Sequence, residues 1–493
     1  MQLPLQLQAD SRESLQAQLF GQFVRQIGDG RLKPGMRIPA TRQLAVDLGI
    51  SRNTVLLAYE RLVAEGYVQM RGPQGAFVVE HGGAVPGSLR AAGQGAPAGE
   101  RAPAPPRPPV HFKGRMHHLR SPNAGEVEFD FWVGRPDPRL FPARAWRVLV
   151  ERSMQQLRQG DGSYGEPSGL RRLREAVARH VGAARGIACG CDDVLITNGI
   201  QEGLNIVGRL LVGPGTAVGM ESPGYLGAAN VFSSFGAELL PCRVDAEGAA
   251  PDDLRSDCRL MYLTPAHQYP SGVAMSARRR QAWLQWARDR GGCLIEDDYD
   301  SDFYYDGPPL PALKAGDRDG CVIYLGTFSK SLSAGLRVGY LIVPRQLRIA
   351  AITVKGLMTN GSPGLVQGAL AEYLERGDYA HHLHRLRKQY AQRRDALGAA
   401  LARCFGGAAA VGAQAGMHVL WQAPDGLPPA PELENLARAQ GVGVYGLESA
   451  NVWLHDARQP EHCRRCLLLG YAALDCSQIA TGIERLAAAV GRA

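Results

Sequence analysis

The stretch Thr327-Phe-Ser-Lys-Ser331 contains Lys330, the most informative residue of the larger part of this chain. It follows an apolar, strand-like run. Asp297 stands 33 residues before Lys330, in Glu296-Asp-Asp-Tyr-Asp300, at the end of another apolar run. A lysine amine can condense with the aldehyde of pyridoxal phosphate, and a buried carboxylate keeps the pyridine nitrogen of that cofactor protonated. The two strand ends therefore predict a pyridoxal phosphate site, with Lys330 as the Schiff-base lysine and Asp297 as the partner of the ring nitrogen.

Residues 128–493 alternate apolar, strand-like runs with helical segments. The run 194–197 is followed by a helical pattern over 200–212, and the run 260–263 by one over 277–290. This alternation predicts an α/β domain with a mainly parallel sheet covered by helices. Ligands of such sheets bind beyond the carboxyl ends of the strands, where the lysine and the carboxylate are expected.

The first 80 residues follow a different pattern, that of an α+β winged helix-turn-helix. Apolar side chains recur every four residues over about 11–29, as on one face of a helix. Two shorter helices are expected at 41–48 and 52–65, separated by a glycine and a serine N-cap. Residues 66–79 indicate two short strands around a Gly/Pro turn, which is the form of a wing.

This block resembles the GntR-type winged helix through Ile38-Pro-Ala-Thr-Arg-Gln-Leu-Ala-Val-Asp-Leu-Gly-Ile-Ser-Arg-Asn-Thr-Val55, Ala58-Tyr-Glu-Arg-Leu62 and Glu65-Gly-Tyr67. The resemblance implies binding of double-stranded operator DNA through the starts of two helices, where side chains and amides can reach phosphates and the major groove. Arg52 is the expected base reader because a guanidinium can hold a guanine edge with two hydrogen bonds. Outside this motif, Arg52 would be read as an ordinary solvated arginine. The expected DNA-binding residues are Arg42, Ser51, Arg52, Asn53 and Thr54.

Residues 81–127 are predicted to link a DNA-binding domain, residues 1–80, to the domain of residues 128–493. Gly, Ala and Pro dominate the first part of this segment, so it lacks the apolar periodicity of a folded unit. Its basic side chains outnumber its acidic ones. They are either ordinary solvated charges or contacts to DNA phosphates.

Composition favours a cytoplasmic protein. The chain is 45% hydrophobic and 21% charged with a net charge of +8, values typical of a soluble globular protein. No signal peptide or apolar run of about 18 residues is found, so no membrane association is expected. The 10 cysteines are expected to be reduced thiols. Cys463 and Cys466 have only half of a zinc-site spacing, so no metal is predicted.

Several motifs at predicted strand ends resemble fold-type I aminotransferases. Besides the Asp297 and Lys330 blocks, they are Thr197-Asn-Gly-Ile-Gln-Glu-Gly203, Glu221-Ser-Pro-Gly-Tyr225 and Thr264-Pro-Ala-His-Gln-Tyr-Pro-Ser-Gly272. The likeness extends over essentially the whole domain and implies a smaller C-terminal subdomain. Amides at the helix start near Ile200 and Gln201 can hold the phosphate of the cofactor. The further roles implied by the resemblance are ring stacking by Tyr225, donation to the phenolic oxygen by Tyr299, and phosphate contacts by Ser329 and Arg337.

One more segment concerns the quaternary structure. Tyr164-Gly-Glu-Pro-Ser-Gly-Leu-Arg-Arg-Leu173 resembles the stretch whose tyrosine reaches the phosphate of the neighbouring subunit, so Tyr164 implies a homodimer with shared sites. A GntR-type reader, a linker and this domain together resemble the MocR subfamily of transcription regulators. That resemblance implies a regulator that senses a small amine or amino acid through aldimine exchange at Lys330.

Two residues depart from the pattern of catalytic aminotransferases. Tyr269 stands where an asparagine usually bonds the phenolic oxygen, and Leu468 where amino-acid transaminases carry a carboxylate-binding arginine. Arg464 and Arg465 are close in sequence but, on a strand, need not point into the site. Three hypotheses stay open: a regulator with slow or absent transamination, a functional aminotransferase with an accessory DNA-binding domain, and a DNA-binding protein whose cofactor domain serves only for dimerisation.

Overall fold

The computed structural model describes residues 4–8, 11, 13–79, 117–159, 164–307, 310–406, 410–455 and 461–491. The chain forms two compact units, Met1–Arg107 and Pro108–Ala493. Most of the predicted linker, up to residue 116, lies outside the described residues. The predicted domain boundaries at residues 80 and 127 therefore stay predictions.

The first unit is a winged helix-turn-helix, as predicted. Ser51 caps the third helix by accepting the Thr54 N–H at 3.0 Å, and Gly49 ends the second helix in the left-handed region, with φ 63°. The core between the helices includes the almost fully buried Leu19, Phe23, Val55, Ala58 and Leu62. The elements are α1 (Leu15–Gly28), α2 (Thr41–Leu48), α3 (Arg52–Ala64), and the antiparallel pair β1 (Val68–Met70) and β2 (Ala76–Val78).

The second unit contains ten further helices and sixteen further strands among the described residues. Up to the middle of the unit they are β3 (Phe129–Asp130), α4 (Ala143–Gln159), α5 (Arg171–Arg185), β4 (Val194–Thr197), α6 (Ile200–Leu211), β5 (Ala217–Ser222), β6 (Gly224–Tyr225), α7 (Leu226–Ser234), β7 (Glu238–Asp245), β8 (Gly248–Ala249), β9 (Leu260–Leu263), α8 (Ala277–Arg290), β10 (Cys293–Asp298), β11 (Val322–Thr327) and β12 (Gly339–Ile342). The rest are α9 (Arg348–Thr359), α10 (Gly364–Glu375), α11 (Asp378–Phe405), β13 (Ala410–Val411), β14 (His418–Gln422), α12 (Ala430–Ala439), β15 (Val442–Gly443), β16 (Tyr445–Gly446), β17 (Val452–Trp453), β18 (Cys466–Gly470) and α13 (Cys476–Ala489).

An eight-stranded, mainly parallel sheet forms the centre of the second unit, which confirms the predicted α/β fold. The strand order is β4-β12-β11-β10-β9-β5-β7-β8. Strand β12 runs antiparallel to both neighbours, so it begins at the edge where β4 and β11 end, with Gly339 opposite Thr197 and Thr327. The motifs after β4, β5, β9, β10 and β11 and the residues before β12 consequently lie along one edge of the sheet.

A smaller C-terminal subdomain contains a second, four-stranded sheet in the order β13-β14-β18-β16. Helices α11 and α13 contribute to its core, which includes the fully buried Tyr390, Trp421, Leu467 and Ile483. Strand β17 pairs with β6, so the subdomain is hydrogen-bonded to the strand that carries Tyr225. Among the described residues, no helix is both long and apolar enough to cross a bilayer.

Candidate functional site

Lys330 lies just beyond the end of β11 with its side chain half-buried. Its Nζ donates a hydrogen bond to the carbonyl of Gly134 at 2.8 Å. Gly134 has φ +69°, and a Cβ at this position would lie 2.6 Å from Nζ, so a glycine is needed to leave room for the amine. Burial lowers the pKa of Lys330, while the carboxylates of Asp300 and Asp297 oppose this shift. A lowered pKa increases the fraction of neutral amine, which is the form that attacks an aldehyde.

Three consecutive buried acids at the end of β10 have different partners. Glu296 accepts two backbone N–H groups of a following turn at 2.7 and 2.8 Å, and Asp298 is paired with Arg185 at 2.7 Å. Asp297 points to the other side of the strand because side chains alternate. There its Oδ2 accepts the Tyr262 hydroxyl at 2.6 Å, while its buried Oδ1 has no hydrogen-bond partner among the described residues.

The unpaired Oδ1 of Asp297 fits a protonated ring nitrogen. Burial and the nearby Asp298 raise the pKa of Asp297 to about 7, although the Tyr262 hydrogen bond and Lys330 lower it. A cationic N–H at Oδ1 would supply the missing partner and favour the ionised carboxylate. Asp297 and Lys330 thus offer the two groups that pyridoxal phosphate requires: Asp297 lies on β10, and Lys330 lies just beyond the end of the neighbouring β11.

An anion-binding corner lies at the same edge of the sheet. Helix α6 begins at Ile200, so the amides of Ile200 and Gln201 belong to its first turn and are not used within the helix. Arg337 has φ 51°, and its guanidinium donates to the carbonyl of Asn198 at 2.7 Å, just before α6. A Cβ on Gly199 would lie 2.8 Å from this guanidinium. The corner therefore combines a cation with a helix N-terminus and suits a phosphate.

Ser329 is positioned by the strand before it. The Thr327 hydroxyl donates to Ser329 Oγ at 3.0 Å and accepts the Ser329 N–H at 3.1 Å. These bonds hold the serine at the start of the turn that carries Lys330. The hydroxyl hydrogen of Ser329 can then point to an acceptor such as a phosphate oxygen.

Tyr225 lies on β6 with its ring half-buried among other rings. Gln201 donates from Nε2 to its hydroxyl oxygen at 3.1 Å. Tyr269 and His117 both meet it edge-on, with ring centroids 5.8 and 5.5 Å away. Sequence reasoning placed His117 in the linker, where composition gives no sign that a side chain reaches the site.

A buried polar group formed by His267, Asp300 and His418, in contact with the predicted site residue Tyr299, was missed by the sequence analysis. His267 Nδ1 lies 3.0 Å from Asp300 Oδ2 and 3.1 Å from the hydroxyl of Tyr299. His418 packs beside His267 with ring centroids 5.0 Å apart. His267 lies in the motif Thr264–Gly272 and Asp300 in the motif Glu296–Asp300, so both residues belong to motifs that the sequence analysis had identified. The motifs alone do not predict that the two side chains are in contact.

The two departures from the catalytic pattern are both buried. The Tyr269 hydroxyl donates to the carbonyl of Ala450, so it is already used within the protein. Leu468 is completely buried in an apolar cluster with Trp132 and Tyr445. The neighbouring arginines face elsewhere: Arg464 is exposed, and Arg465 pairs with Asp425 at 2.6 Å.

The structure does not bring Tyr164 to the other site residues. Its side chain is 89% exposed, at the first described position after residues 160–163. A role in a neighbouring subunit stays a prediction from the motif.

The expected DNA-binding residues cluster at the starts of α2 and α3. Arg42, Arg52 and Asn53 are exposed. The hydroxyls of Ser51 and Thr54 lie 2.8 Å apart within the N-cap of α3, so both also serve the helix end. Their contacts to DNA stay predictions.

Two family profiles match the chain. The profile "Bacterial regulatory proteins, gntR family" matches residues 15–78, and "Aminotransferase class I and II" matches residues 137–486. Together they cover the winged helix-turn-helix and most of the second unit.

Curated proteins and solved structures show the same two parts. The chain is 34% identical to the uncharacterized HTH-type transcriptional regulator YhdI of Bacillus subtilis, covering 97% of this chain and 96% of that protein. It is also 34% identical to the probable rhizopine catabolism regulatory protein MocR of Rhizobium meliloti, covering 98% and 95%. The kynurenine aminotransferase of Pyrococcus horikoshii, solved with PMP, is 27% identical with a TM-score of 0.67, covering 75% of this chain and 92% of that one.

We expect the protein loaded with pyridoxal phosphate to be yellow, and Lys330→Ala to abolish the absorption band of the lysine-bound cofactor. The reason is that the band requires a covalent C=N bond to Nζ, the amine beside the Gly134 carbonyl. Absorption spectra of both proteins check this. Lys388→Ala, which removes an exposed lysine from α11, should keep the band. A band that survives in the Lys330 variant would show that another amine binds the cofactor.

We expect Asp297→Asn to stabilise the cofactor-free protein increasingly as pH rises. The pKa of Asp297 is raised from 3.8 to about 7 on folding, so its contribution to stability is present below pH 3.8 and is lost as pH rises through about 7. Asparagine carries no charge to bury and escapes that loss. Tm measured across this window should show a difference, variant minus wild type, that grows with pH. The exposed-site variant Asp252→Asn should show none, and a pH-independent difference for Asp297→Asn would contradict the prediction.

Proposed function

Because this chain belongs to the MocR subfamily of GntR-type transcription regulators, we propose that it is a cytoplasmic, pyridoxal phosphate-dependent regulator that binds operator DNA. A small amine or amino acid is sensed through aldimine exchange at Lys330. The observation that carries the proposal is the half-buried Lys330 amine beside the unpaired Asp297 carboxylate oxygen, in a chain that also has a winged helix-turn-helix.

The residues at the sheet edge have separate parts in holding the cofactor. Bound pyridoxal phosphate supplies an aldehyde carbon and an electron-withdrawing ring. Asp297 would accept the ring N–H, Tyr225 would stack on the ring, and Tyr299 would donate to the phenolic oxygen. The proposed phosphate contacts are the amides of Ile200 and Gln201, Ser329, Arg337 and the partner subunit's Tyr164.

Sensing requires only that one amine replace another. Lys330 would hold the cofactor through Nζ and, when another amine takes its place, would be released as a neutral amine after taking up a proton at Nζ. Burial favours the neutral form of Lys330 as a leaving amine. The Gly134 carbonyl, which accepts Nζ at 2.8 Å, is in place to receive the released lysine.

The described end of the predicted linker offers a route from the site toward the DNA-binding domain. Asn451 makes two hydrogen bonds to the backbone of His118, both 2.8 Å, and its own carbonyl accepts the N–H of Leu226, next to Tyr225. His117 meets Tyr225 edge-on. A ligand that moves Tyr225 therefore moves the segment that leads along the chain to the winged helix.

A working aminotransferase is the second candidate function, and the buried Leu468 weighs against it. Fast transamination needs the substrate held so that its breaking bond stands perpendicular to the ring. Leu468 has no charge for a carboxylate and is enclosed by apolar side chains. Tyr269 stands in place of the usual asparagine, and its hydroxyl donates a hydrogen bond to the carbonyl of Ala450.

We expect an amine that changes the visible band to change operator affinity over the same concentration range. Amines are screened by absorbance, with DNA binding measured in parallel. Lys330→Ala should lose both responses, because neither can occur without exchange at Nζ, whereas the control Lys388→Ala should keep both. A band change without any change in DNA affinity would refute sensing while leaving cofactor binding intact.

The same amine decides between the two candidate functions. Keto-acid production over many cycles should be slow or absent. Sustained turnover on the order of 1 per second or faster would favour the aminotransferase.

We expect Arg52→Ala to weaken and relax operator binding and to leave the cofactor spectrum unchanged. A bidentate arginine–guanine contact contributes about 1 to 3 kcal/mol of discrimination between bases. Binding to operator and to base-substituted operators checks this. Arg25→Ala, which removes an exposed charge from α1, should preserve the ranking of the sequences. If Arg52→Ala preserves it too, Arg52 does not read bases.

A further inference from the structure

We propose that His267, held by Asp300, is a positioning residue that directs the hydroxyl hydrogen of Tyr299 toward the phenolic oxygen of the cofactor. This inference rests on the proposed binding of pyridoxal phosphate and on the proposed role of Tyr299. It assigns a function to a buried group that the proposed function leaves unused.

The imidazole of His267 faces hydrogen-bond acceptors at both nitrogens. Nδ1 lies 3.0 Å from the Oδ2 of Asp300, and Nε2 lies 3.4 Å from the carbonyl of Gly412. A neutral imidazole would turn one bare nitrogen toward an acceptor, so this environment favours a proton on each nitrogen. The pKa of His267 agrees with this. Burial lowers the pKa, but the Asp300 carboxylate raises it by more, so the net shift is upward.

The Nδ1–H of His267 also reaches Tyr299. Its distance to the phenolic oxygen is 3.1 Å, so the hydrogen is shared between Asp300 and the tyrosine oxygen. Since that oxygen accepts from His267, the hydroxyl hydrogen of Tyr299 has to point away from the imidazole. Burial and the Asp300 charge raise the pKa of Tyr299 well above its usual value, so the hydroxyl keeps this hydrogen to donate.

The other groups around His267 leave this arrangement undisturbed. His418, on β14, packs beside the ring, and its Nε2 lies 3.3 Å from the carbonyl of Pro270. Burial and the charge on His267 lower the pKa of His418 far below its usual value, so His418 is neutral. His267 therefore has three titratable neighbours, Asp300, His418 and Tyr299. Of these, Asp300 is the one that carries a charge.

The backbone at two glycines packs closely against the imidazole of His267 and leaves no space for a side chain. A Cβ on Gly416 would lie 2.4 Å from Nδ1 of His267 and 2.6 Å from Oδ2 of Asp300, and a Cβ on Gly272 would lie 2.9 Å from Nε2. His267, Asp300 and His418 also have the residue types of a metal site. Direct contact between Nδ1 and Oδ2, closed in by Gly416, instead favours a fixed hydrogen-bonded pair.

The orientation of Tyr299 has a measurable consequence. A donor at the phenolic oxygen stabilises negative charge there, and this oxygen shares a proton with the nitrogen bound to Lys330. Loss of the donor makes the oxygen more basic, so the shared proton is held to higher pH. The pH midpoint of the visible-band titration therefore reports whether Tyr299 is aimed at the cofactor, independently of any turnover.

The test compares this midpoint among variants of the full-length, cofactor-loaded protein. His267→Leu should raise it by about one pH unit, equivalent to about 1.4 kcal/mol. Tyr299→Phe should raise it by at least as much, and adding His267→Leu to Tyr299→Phe should cause no further shift. His267→Asn, whose amide can donate near the position of Nδ1, should restore most of the original midpoint. His180→Asn, which changes a histidine on α5 that packs on Tyr379, should leave it unchanged.

Asp300→Asn provides a second test with a nearly isosteric side chain, in case the leucine variant does not fold. It should raise the midpoint by less than His267→Leu, because the imidazole loses its anchor but stays in place. An unchanged midpoint in both variants, or a further shift when His267→Leu is added to Tyr299→Phe, overturns the proposal. So does a stoichiometric transition metal that the purified protein holds and His267→Leu loses.

Failure of the proposed function looks different in these experiments. If the unmodified protein has no visible band, cofactor binding fails and the role of His267 fails with it. If the band titrates but no amine alters DNA affinity, sensing alone fails, and the midpoints of the His267 and Asp300 variants still decide this inference.

Discussion

A buried carboxylate oxygen without a hydrogen-bond partner is unfavourable, and among its described residues the second unit has four of them: Oδ1 of Asp297, Asp298 and Asp300, and Oε1 of Glu221. The three acids at the end of β10 differ in the partners that they do have. Glu296 receives two amides, and Asp298 receives the guanidinium of Arg185. Asp297 receives the Tyr262 hydroxyl on its other oxygen. At Asp297, the proposed cationic ring nitrogen would supply the missing partner of Oδ1.

Compared with the pattern of catalytic aminotransferases, the groups around Asp297 that would hold a cofactor are present, whereas two that would hold a substrate or the phenolic oxygen are replaced by Leu468 and Tyr269. The helix start at Ile200, the guanidinium of Arg337 and the Lys330 amine lie along one edge of the sheet. On the subdomain side, Leu468 packs into an apolar cluster and Tyr269 is bonded to the protein itself. Such a site is compatible with the proposed sensing of an amine, because sensing needs the amine to stay bound and does not need turnover.

Much of the fold and part of the site could be predicted from local sequence. The helix-turn-helix follows from a glycine, a serine cap and a four-residue apolar repeat, and the observed α2, Thr41–Leu48, has the predicted bounds. The cofactor motifs end up together because each follows a strand of one mainly parallel sheet. The contact between His267 and Asp300 could not be predicted, since it joins two loops at the ends of neighbouring strands. The contact between the rings of His117 and Tyr225 was not predicted, because the linker was assigned from its composition and composition carries no information about individual contacts.

The two-part organisation, the class of each fold and the order of the cofactor motifs could be predicted from the sequence alone, because periodicity, caps and short motifs act over a few residues. The partners of each buried acid, the contact of His267 with Tyr299 and the surroundings of Leu468 came from the tertiary structure. These properties depend on burial and on partners far apart in the chain, such as Tyr262 for Asp297 and Trp132 for Leu468. Such partners meet only when the sheet and the subdomain have formed, so no local pattern encodes them.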